Sequence, residues 1–474
     1  MLFNSVEFLI FFPVVLVLFY LIPHRFRWVL LLVSSYYFYM GWNPAYASLL
    51  FLTTTVDFFV ANRMEAFAEK KQRRPWLLLS IFFNLGLLMY FKYYNFFVDN
   101  INGLSGSEIR YMEFLLPVGI SFYTFQEMGY VIDVYRGEIR AERHWGKFAV
   151  FVAYFPQLVA GPIERAKNLM HQLKSKVVFS YHNFSLGGQH IIWGLFKKVV
   201  IADNLAVIVD SVYSDSANFS WLWLLLATYL FAIQIYCDFS GYSDIAIGAA
   251  RMMGVELMVN FRTPYFSKSI REFWSRWHIS LSTWFRDYLY IPLGGNRLTQ
   301  TRTTINLMLV FVISGFWHGA AWTFIIWGAL HAIYLLAELV ISKFSWWKNY
   351  MKTRKGITHW LGIFLVFHLV LLGWIFFRSD SVSQAWQVLQ DICTMKTYEG
   401  TLPIELRRVG DTGIWIKVLF ALALMLIDPL MNKIVRGEYH RLNYPVKLTL
   451  YSFLIAAIVL FGFWGDVAFI YFQF

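Results

Sequence analysis

The chain has 474 residues, of which 58% are hydrophobic and 20% aromatic, while only 15% are charged. A soluble domain is about 45–50% apolar and about 25% charged, so this composition excludes an ordinary soluble globule, a disordered chain and a coiled coil. The formal net charge of +12 is typical of basic cytoplasmic loops in a membrane protein. No nucleic-acid-binding motif accompanies it, so nucleic acid is not an expected partner.

Apolar stretches close to the bilayer-spanning length of about 20 residues recur along the chain. They predict an all-α polytopic membrane protein with about 11–12 transmembrane helices. We expect residues 148–160 to be re-entrant or buried and residues 385–389 to lie on an amphipathic surface helix. No polar linker or internal repeat divides the chain, which predicts one integral membrane domain over residues 1–474. The predicted spans are residues 6–22, 28–42, 45–61, 76–97, 114–135, 187–213, 219–239, 303–317, 320–341, 357–377, 413–430 and 446–465.

Loop charge predicts how these spans are oriented. Residues 62–75, 136–147 and 342–356 are rich in Lys and Arg, whereas residues 98–113 hold one arginine and three acids. The positive-inside rule assigns the basic loops to the cytoplasm, which places both termini outside. Residues 6–22 are interpreted as a retained first span, because no basic run precedes them.

Two polar segments do not fit a simple lipid-facing helix. The first, residues 238–244, carries Asp238 and Asp244 at the predicted end of a span, and an aspartate at membrane depth costs at least about 2.5 kcal/mol. It is either a helix end at the cytoplasmic surface or the lining of a polar cavity. The second, residues 262–302, has seven basic residues interleaved with aromatic ones. It is either an interfacial amphipathic helix or a mouth that attracts a phosphate-bearing donor.

His318 differs from the lone histidines of the chain, because small residues flank it where two apolar helices meet. Counted from Thr303, it lies about 22 Å along its span, below the outer surface of a core of about 30 Å. A neutral imidazole at that depth can accept a proton from a hydroxyl group, as general-base catalysis requires. We expect His331, on the next helix, to have a packing role. Cys237 and Cys393 form no metal-binding spacing, and no metal site is expected.

A set of motifs spreads over nearly the whole chain, at residues 116–126, 133–137, 155–163, 238–248, 277–282 with 286–288, 315–319 and 469–474. With these motifs the chain resembles the membrane-bound O-acyltransferase family, in particular its bacterial branch of alginate O-acetyltransferase membrane subunits. Two departures from the family pattern are Ser275, where arginine is common, and Ala332, where glycine is frequent.

The resemblance implies a multi-helix ring around a thin central region, with a tunnel that joins the cytoplasm to the outer face. The invariant histidine of the family falls on His318, and its second histidine falls on His278. His318 is therefore the expected general base, and His278 is expected to orient or polarise the thioester. We further expect Arg276 and Arg286 to supply charge on the donor side. Tyr242 and Asp244 are the expected cavity-lining residues.

The function implied is transfer of an acetyl group from a cytoplasmic thioester, acetyl-CoA or an acyl carrier, to an exported polysaccharide such as alginate. No tightly bound cofactor is expected. The expected partner is an extracytoplasmic acetyltransferase or carrier protein, and the expected location is the bacterial inner membrane. Peptidoglycan O-acetylation and teichoic acid D-alanylation are alternatives within the same chemistry. A non-catalytic transporter or export scaffold is the alternative from another class, because a transport path also uses intramembrane polar residues.

Overall fold

The computed structural model describes nearly all of the chain, and its regular elements are helices, with no strand among the described residues. The prediction of an all-α protein is therefore confirmed. Phe114, in one predicted span, and residues 471–474, in the closing motif, lie outside the described part. The described residues are 1–113, 115–352, 356–398, 404–438, 443–465 and 469–470.

The chain divides into two compact units, and the first comprises Met1–Gly194 and Tyr242–Val259. The π-helical turn Met89–Tyr93 joins two of its helices into one long rod. Asn62 Nδ2 donates to the Glu142 carbonyl oxygen at 2.8 Å, so the basic loops 62–75 and 136–147 lie side by side. Its helices are Val6–Leu21, His24–Met40, Pro44–Glu65, Lys70–Leu88, Tyr94–Ser105, Ile120–Arg136, Trp145–Ala153, Phe155–Leu158, Ala166–Lys174 and Tyr181–Leu195.

The second unit comprises Leu195–Gly241 and Asn260–Phe474. Its π-helical segments are Phe196–Ala202 and Arg286–Tyr290, and short 3-10 turns cover Ser216–Asn218 and Pro264–Phe266. Its α-helices are Asp203–Tyr213, the first part of Trp221–Met252, Ile270–Trp274, Ile279–Phe285, Gln300–His318, Trp322–Ile341, Ser345–Lys352, Ile357–Arg378, Val382–Cys393, Ile404–Val435 and Tyr444–Phe461.

Local capping determines where several helices begin. The Thr299 hydroxyl accepts from the Arg302 N–H, and the Ser381 hydroxyl accepts from the Gln384 N–H. Such caps satisfy backbone donors that the first helical turn leaves without partners. The second of these helices, Val382–Cys393, includes the predicted surface helix at residues 385–389 and ends at the exposed Cys393.

Six of the described helices are long and apolar enough to cross a membrane by length and composition. Two shorter apolar helices, Val6–Leu21 and Pro445–Phe461, accompany them. The chain is therefore a multi-pass membrane protein, whereas the total of about 11–12 crossings, the tunnel and the single domain stay predictions. The six helices are Pro44–Glu65, Lys70–Ser105, Trp221–Met252, Trp322–Ile341, Ile357–Arg378 and Gly413–Val435.

One predicted span was wrong at its C-terminal boundary. The span expected to end near residue 239 continues to Met252, so residues 238–244 are helix interior and not a helix end. Inside this helix the buried Asp238 carboxylate forms an ion pair with Lys198, which compensates its charge. The span expected at residues 187–213 lies within a continuous helical run over residues 181–213, in which the π-helical segment Phe196–Ala202 carries that lysine. Residues 148–160 are buried, as expected.

Candidate active site

Two helices of the second unit, Gln300–His318 and Trp322–Ile341, form a tight pair that we call the histidine hairpin. A Cβ atom on Gly315 would overlap the Phe324 carbonyl oxygen, and one on Gly328 would overlap the Phe311 carbonyl oxygen. Only glycine therefore permits this approach of the two backbones. The close packing fixes the last residue of the first helix, His318, against the second helix.

His318 lies inside a shell of aromatic rings and is 2% exposed. Its ring centroid is 5.0 Å from that of Trp327, 5.1 Å from that of Trp317 and 5.6 Å from that of Phe377. Trp327 also contacts His331, whose ring stacks on Phe273, which is the packing role expected for His331. The shell separates the His318 imidazole from bulk water.

His278 occupies a strained turn just before the helix Ile279–Phe285. Its backbone is left-handed, with φ 43° and ψ 54°, a conformation that costs a residue with a side chain about 1–3 kcal/mol. Asn260 holds the turn in place. Its carbonyl oxygen accepts from the Ile279 N–H at 3.0 Å, and its Oδ1 accepts from the Ser280 hydroxyl at 2.6 Å. Strain that is held by specific hydrogen bonds is characteristic of functional sites.

The structure brings the two predicted catalytic histidines together. The ring centroids of His278 and His318 are 6.4 Å apart, with the planes inclined at 61°. The edge of the Phe239 ring meets His278 at a centroid distance of 4.6 Å. Burial lowers the pKa of His278 to about 3, so its imidazole is neutral at physiological pH. A neutral imidazole can donate one hydrogen bond and accept another, which suits it to proton transfer or to polarising a carbonyl group.

A cavity of about 470 Å³ lies in the second unit beside the histidine hairpin, and neither His278 nor His318 is among its lining residues. It is lined by Ser314, one helical turn before His318, and by Trp274, whose ring is 5.7 Å from that of Trp327. Its charged lining residues are Arg271 and Arg286, and most of its wall is apolar. The volume is within the usual range of about 300–1,000 Å³ for small-molecule sites.

The predicted donor-side arginines have different surroundings. Arg286 lines the cavity and forms an ion pair with Asp287 at 2.7 Å. Arg276 instead forms an ion pair with Glu272 at 2.5 Å, one helical turn before it. Arg271 lines the cavity although the sequence analysis did not select it, and only its place in a segment rich in Arg and aromatic residues could have indicated it.

A buried ionic cluster supports the segment that contacts His278. Lys198 Nζ lies 2.7 Å from one carboxylate oxygen each of Asp203 and Asp238. The other Asp238 oxygen accepts from the Ile470 N–H at 2.8 Å. Because Phe239 follows Asp238 and touches the His278 ring, the cluster fixes one wall of the histidine site. The sequence did not predict Lys198 and Asn260 as site residues. Nothing in the local sequence pattern relates Lys198 to Asp238, or Asn260 to Ser280.

Tyr242 and Asp244, the predicted cavity-lining residues, lie in the first unit. The Tyr242 ring stacks on Phe3 at a centroid distance of 4.3 Å. An Asp244 carboxylate oxygen lies 3.7 Å from His190 Nδ1. Their role as cavity lining stays a prediction. Among the described residues, no group of three or more His, Cys, Asp or Glu side chains is placed to hold a metal ion.

Known proteins resemble the chain over most of its length. The membrane-bound O-acyltransferase family matches residues 144–379. A probable alginate O-acetylase AlgI of Azotobacter vinelandii is 43% identical over 82% of this chain and 77% of the relative. A peptidoglycan O-acetyltransferase of Helicobacter pylori is 37% identical over 76% of this chain and 72% of the relative. A teichoic acid D-alanyltransferase of Streptococcus thermophilus is 30% identical over 57% of this chain and 69% of the relative.

Proposed function

The chain belongs to the membrane-bound O-acyltransferase family and is an O-acyltransferase, and from this premise we propose that it acetylates an exported polysaccharide such as alginate. The acetyl group comes from a cytoplasmic thioester, acetyl-CoA or an acyl carrier. The observation that carries the proposal is the pair of buried histidines, 6.4 Å apart, in an aromatic shell. The identity of 43% to a probable alginate O-acetylase supports the choice of polysaccharide.

In the proposed reaction His318 is the general base. The acceptor hydroxyl oxygen attacks the thioester carbonyl carbon while its proton passes to the His318 imidazole. The carbon–sulfur bond then breaks, and the leaving thiolate takes up a proton to become the free thiol. General-base assistance of this kind accelerates a reaction about 10²–10⁴-fold. His278 orients the thioester and donates a hydrogen bond to its carbonyl oxygen, where negative charge develops.

The cavity of the second unit is the proposed donor site. Its two arginines, Arg271 and Arg286, would bind the phosphate groups of the donor, since a guanidinium group matches phosphate geometry. The apolar wall would hold the pantetheine-like arm and direct the thioester toward the histidine hairpin. Arg276 does not line the cavity, and its proposed role is to order the preceding helical turn through its ion pair with Glu272. Tyr242 and Asp244 are proposed to line the acceptor path.

The proposed location is the bacterial inner membrane, with the donor on the cytoplasmic side and the polysaccharide outside. An extracytoplasmic acetyltransferase or carrier protein is the proposed partner, and it would receive those acetyl groups that are not passed directly to the polysaccharide. The enzyme assignment favours this function over a transporter or export scaffold, since the relatives named above transfer an acyl group.

Reconstituted protein tests the proposal directly. Purified protein in proteoliposomes receives acetyl-CoA labelled in the acetyl group, and thiol release and label transfer to alginate oligosaccharides are measured. The His318→Ala variant is expected to lose about 10²–10⁴-fold in turnover. The matched control is His359→Ala, which alters a histidine of the same unit outside the aromatic shell. Full turnover by a folded His318→Ala variant would show that His318 is not the base.

Peptidoglycan is the second candidate acceptor, favoured by the 37% identity to a peptidoglycan O-acetyltransferase. The same assay with muropeptides in place of alginate distinguishes the two. Label on muropeptides and none on alginate would replace the first candidate with the second, and the roles of the histidines would be unchanged.

A further inference from the structure

The first unit contains a small basic cavity that the acyl-transfer reaction does not use. Its volume is about 60 Å³, and its lining includes His24, Arg25, Lys147 and Lys174. A water-sized group needs about 10–15 Å³ of such space, so the cavity accommodates a group of about four to six heavy atoms. A tetrahedral phosphate group has this size.

The charge around the cavity is strongly positive. Lys174 forms an ion pair with Glu142, which also accepts from the His144 N–H at 2.9 Å. Arg25 and Lys147 have no carboxylate partner in an ion pair within the described part of the chain. Burial alone would raise the pKa of Glu142, but Lys174, the His144 N–H and Lys147 together lower it, so this carboxylate is ionised. Three cationic side chains and one carboxylate leave a surplus of about two positive charges.

Two helix ends add to the positive potential. His24 and Arg25 are the first residues of the helix His24–Met40, and Lys147 lies in the first turn of Trp145–Ala153. Both helices therefore direct the positive ends of their dipoles and their first backbone N–H groups toward the region of the cavity.

A specific contact builds the wall of the cavity. The Trp28 ring, which lines it, lies directly against Gly146, where any Cβ atom would overlap the indole. The indole also meets the His144 ring edge to face at a centroid distance of 4.7 Å. The indole side of the wall is therefore fixed in position.

We propose that this cavity binds a phosphate group, as the headgroup of an anionic membrane lipid or as free phosphate. The residues that line this cavity are on the predicted cytoplasmic side, where basic pockets at the ends of membrane helices attract anionic headgroups. Arg25 supplies a planar fork that matches two phosphate oxygens, and Lys147 supplies a point charge. The apolar floor of the cavity, formed by Leu31 and Val150, is adjacent to the membrane helices and suits the glycerol end of a lipid.

The test compares lipid and phosphate on the intact protein. Protein in phosphatidylcholine nanodiscs is prepared with phosphatidylglycerol, with inorganic phosphate, or with neither, and retained phosphatidylglycerol and thermal unfolding are measured. The double variant Arg25→Gln/Lys147→Gln is expected to lose at least about tenfold in phosphatidylglycerol retention, since each basic residue near a charged surface contributes to binding. The control Lys70→Gln/Lys71→Gln removes the same charge from the neighbouring basic loop, outside the cavity.

Each outcome decides the proposal. Protection by phosphatidylglycerol that only the cavity variant loses identifies a lipid headgroup site, and protection by inorganic phosphate alone identifies a free phosphate site. Equal losses in both double variants, or no protection of the wild type by either ligand, would overturn the proposal. Acyl transfer is measured in parallel, and a result here leaves the histidine mechanism unaffected, because no catalytic residue is changed.

Discussion

The segments that carry His318 and His278 use different structural means to position a buried imidazole. Two helix backbones hold His318, and they touch because Gly315 and Gly328 have no side chain. A strained turn holds His278, and one residue, Asn260, keeps the turn in place with its backbone carbonyl and its side chain. The first arrangement is sensitive to any atom that is added, and the second to the loss of one hydrogen-bond acceptor.

The largest effect is expected from widening the histidine hairpin. Gly315→Val places a branched side chain against the Phe324 backbone, and this backbone cannot move without separating the two helices. The substitution should therefore destabilise the protein by at least about 3 kcal/mol. The measurement is the monodisperse fraction and the unfolding temperature in detergent. Gly188→Ala is the control, because a Cβ atom there meets open space. Equal tolerance of both substitutions would contradict the close helix contact.

The second prediction concerns the ionic cluster beside His278. Lys198→Met leaves Asp203 and Asp238 buried without their cation and should cost about 3–5 kcal/mol of unfolding free energy. Adding Asp238→Asn removes one of the carboxylates and should recover part of the loss.

A surface ion pair provides the comparison for this cluster. Arg143→Met breaks the 2.7 Å contact with Glu65, but the arginine side chain is 73% exposed, so the cost should be at most about 1 kcal/mol. Chemical unfolding of the three variants measures the difference. Similar losses of unfolding free energy for Lys198→Met and Arg143→Met would show that the buried cluster contributes no more to stability than a surface ion pair.

A smaller and more selective effect is expected at Asn260. Asn260→Ala removes the acceptor of the Ser280 hydroxyl and allows the His278 turn to relax. Because a small displacement of a reacting group slows the reaction strongly, kcat should fall about 10–100-fold. Asn260→Asp keeps an acceptor oxygen and should restore most of the activity. A variant whose stability falls while its kcat is unchanged would show that Asn260 supports the fold but does not position His278.

The smallest expected effect is on the pH dependence of stability. The pKa of His278 is about 3 in the folded chain and about 6.5 in the unfolded chain, so the unfolded state binds more protons between these values. Stability should therefore fall as the pH drops below about 6.5. The His278→Gln variant should show a shallower decline, measured by thermal unfolding from neutral to mildly acidic pH. Identical slopes would mean that His278 is protonated in the folded protein.

Much of the helical framework could be predicted from the sequence, because long apolar runs dominate the energetics in a membrane. The span predicted at residues 357–377 is the helix Ile357–Arg378, and the span at residues 320–341 is Trp322–Ile341. Glycines beside His318 also indicated a close helix approach, and the structure confirms that approach.

Features that depend on partners distant in the sequence could not be predicted. The partner of the buried Asp238 is Lys198, 40 residues earlier, and no local pattern shows that pairing. The clamp on His278 comes from Asn260, in an irregular segment, and the left-handed backbone of a histidine is not expected from its intrinsic preference. The cavity is lined by Arg286 and Arg271 but not by Arg276, which forms an ion pair with Glu272.

The two thiols differ in accessibility, so the native chain can report which side of the membrane a loop occupies without any substitution. Cys237 is buried and Cys393 is exposed, so a membrane-impermeant maleimide should label the native chain at a single position. The predicted topology places that position on the outer face, together with the mouth through which the acceptor would enter. Labelling of Cys393 in intact spheroplasts would place its loop on the outer face, as the predicted orientation of the helices requires. Labelling only in inverted vesicles would reverse that orientation.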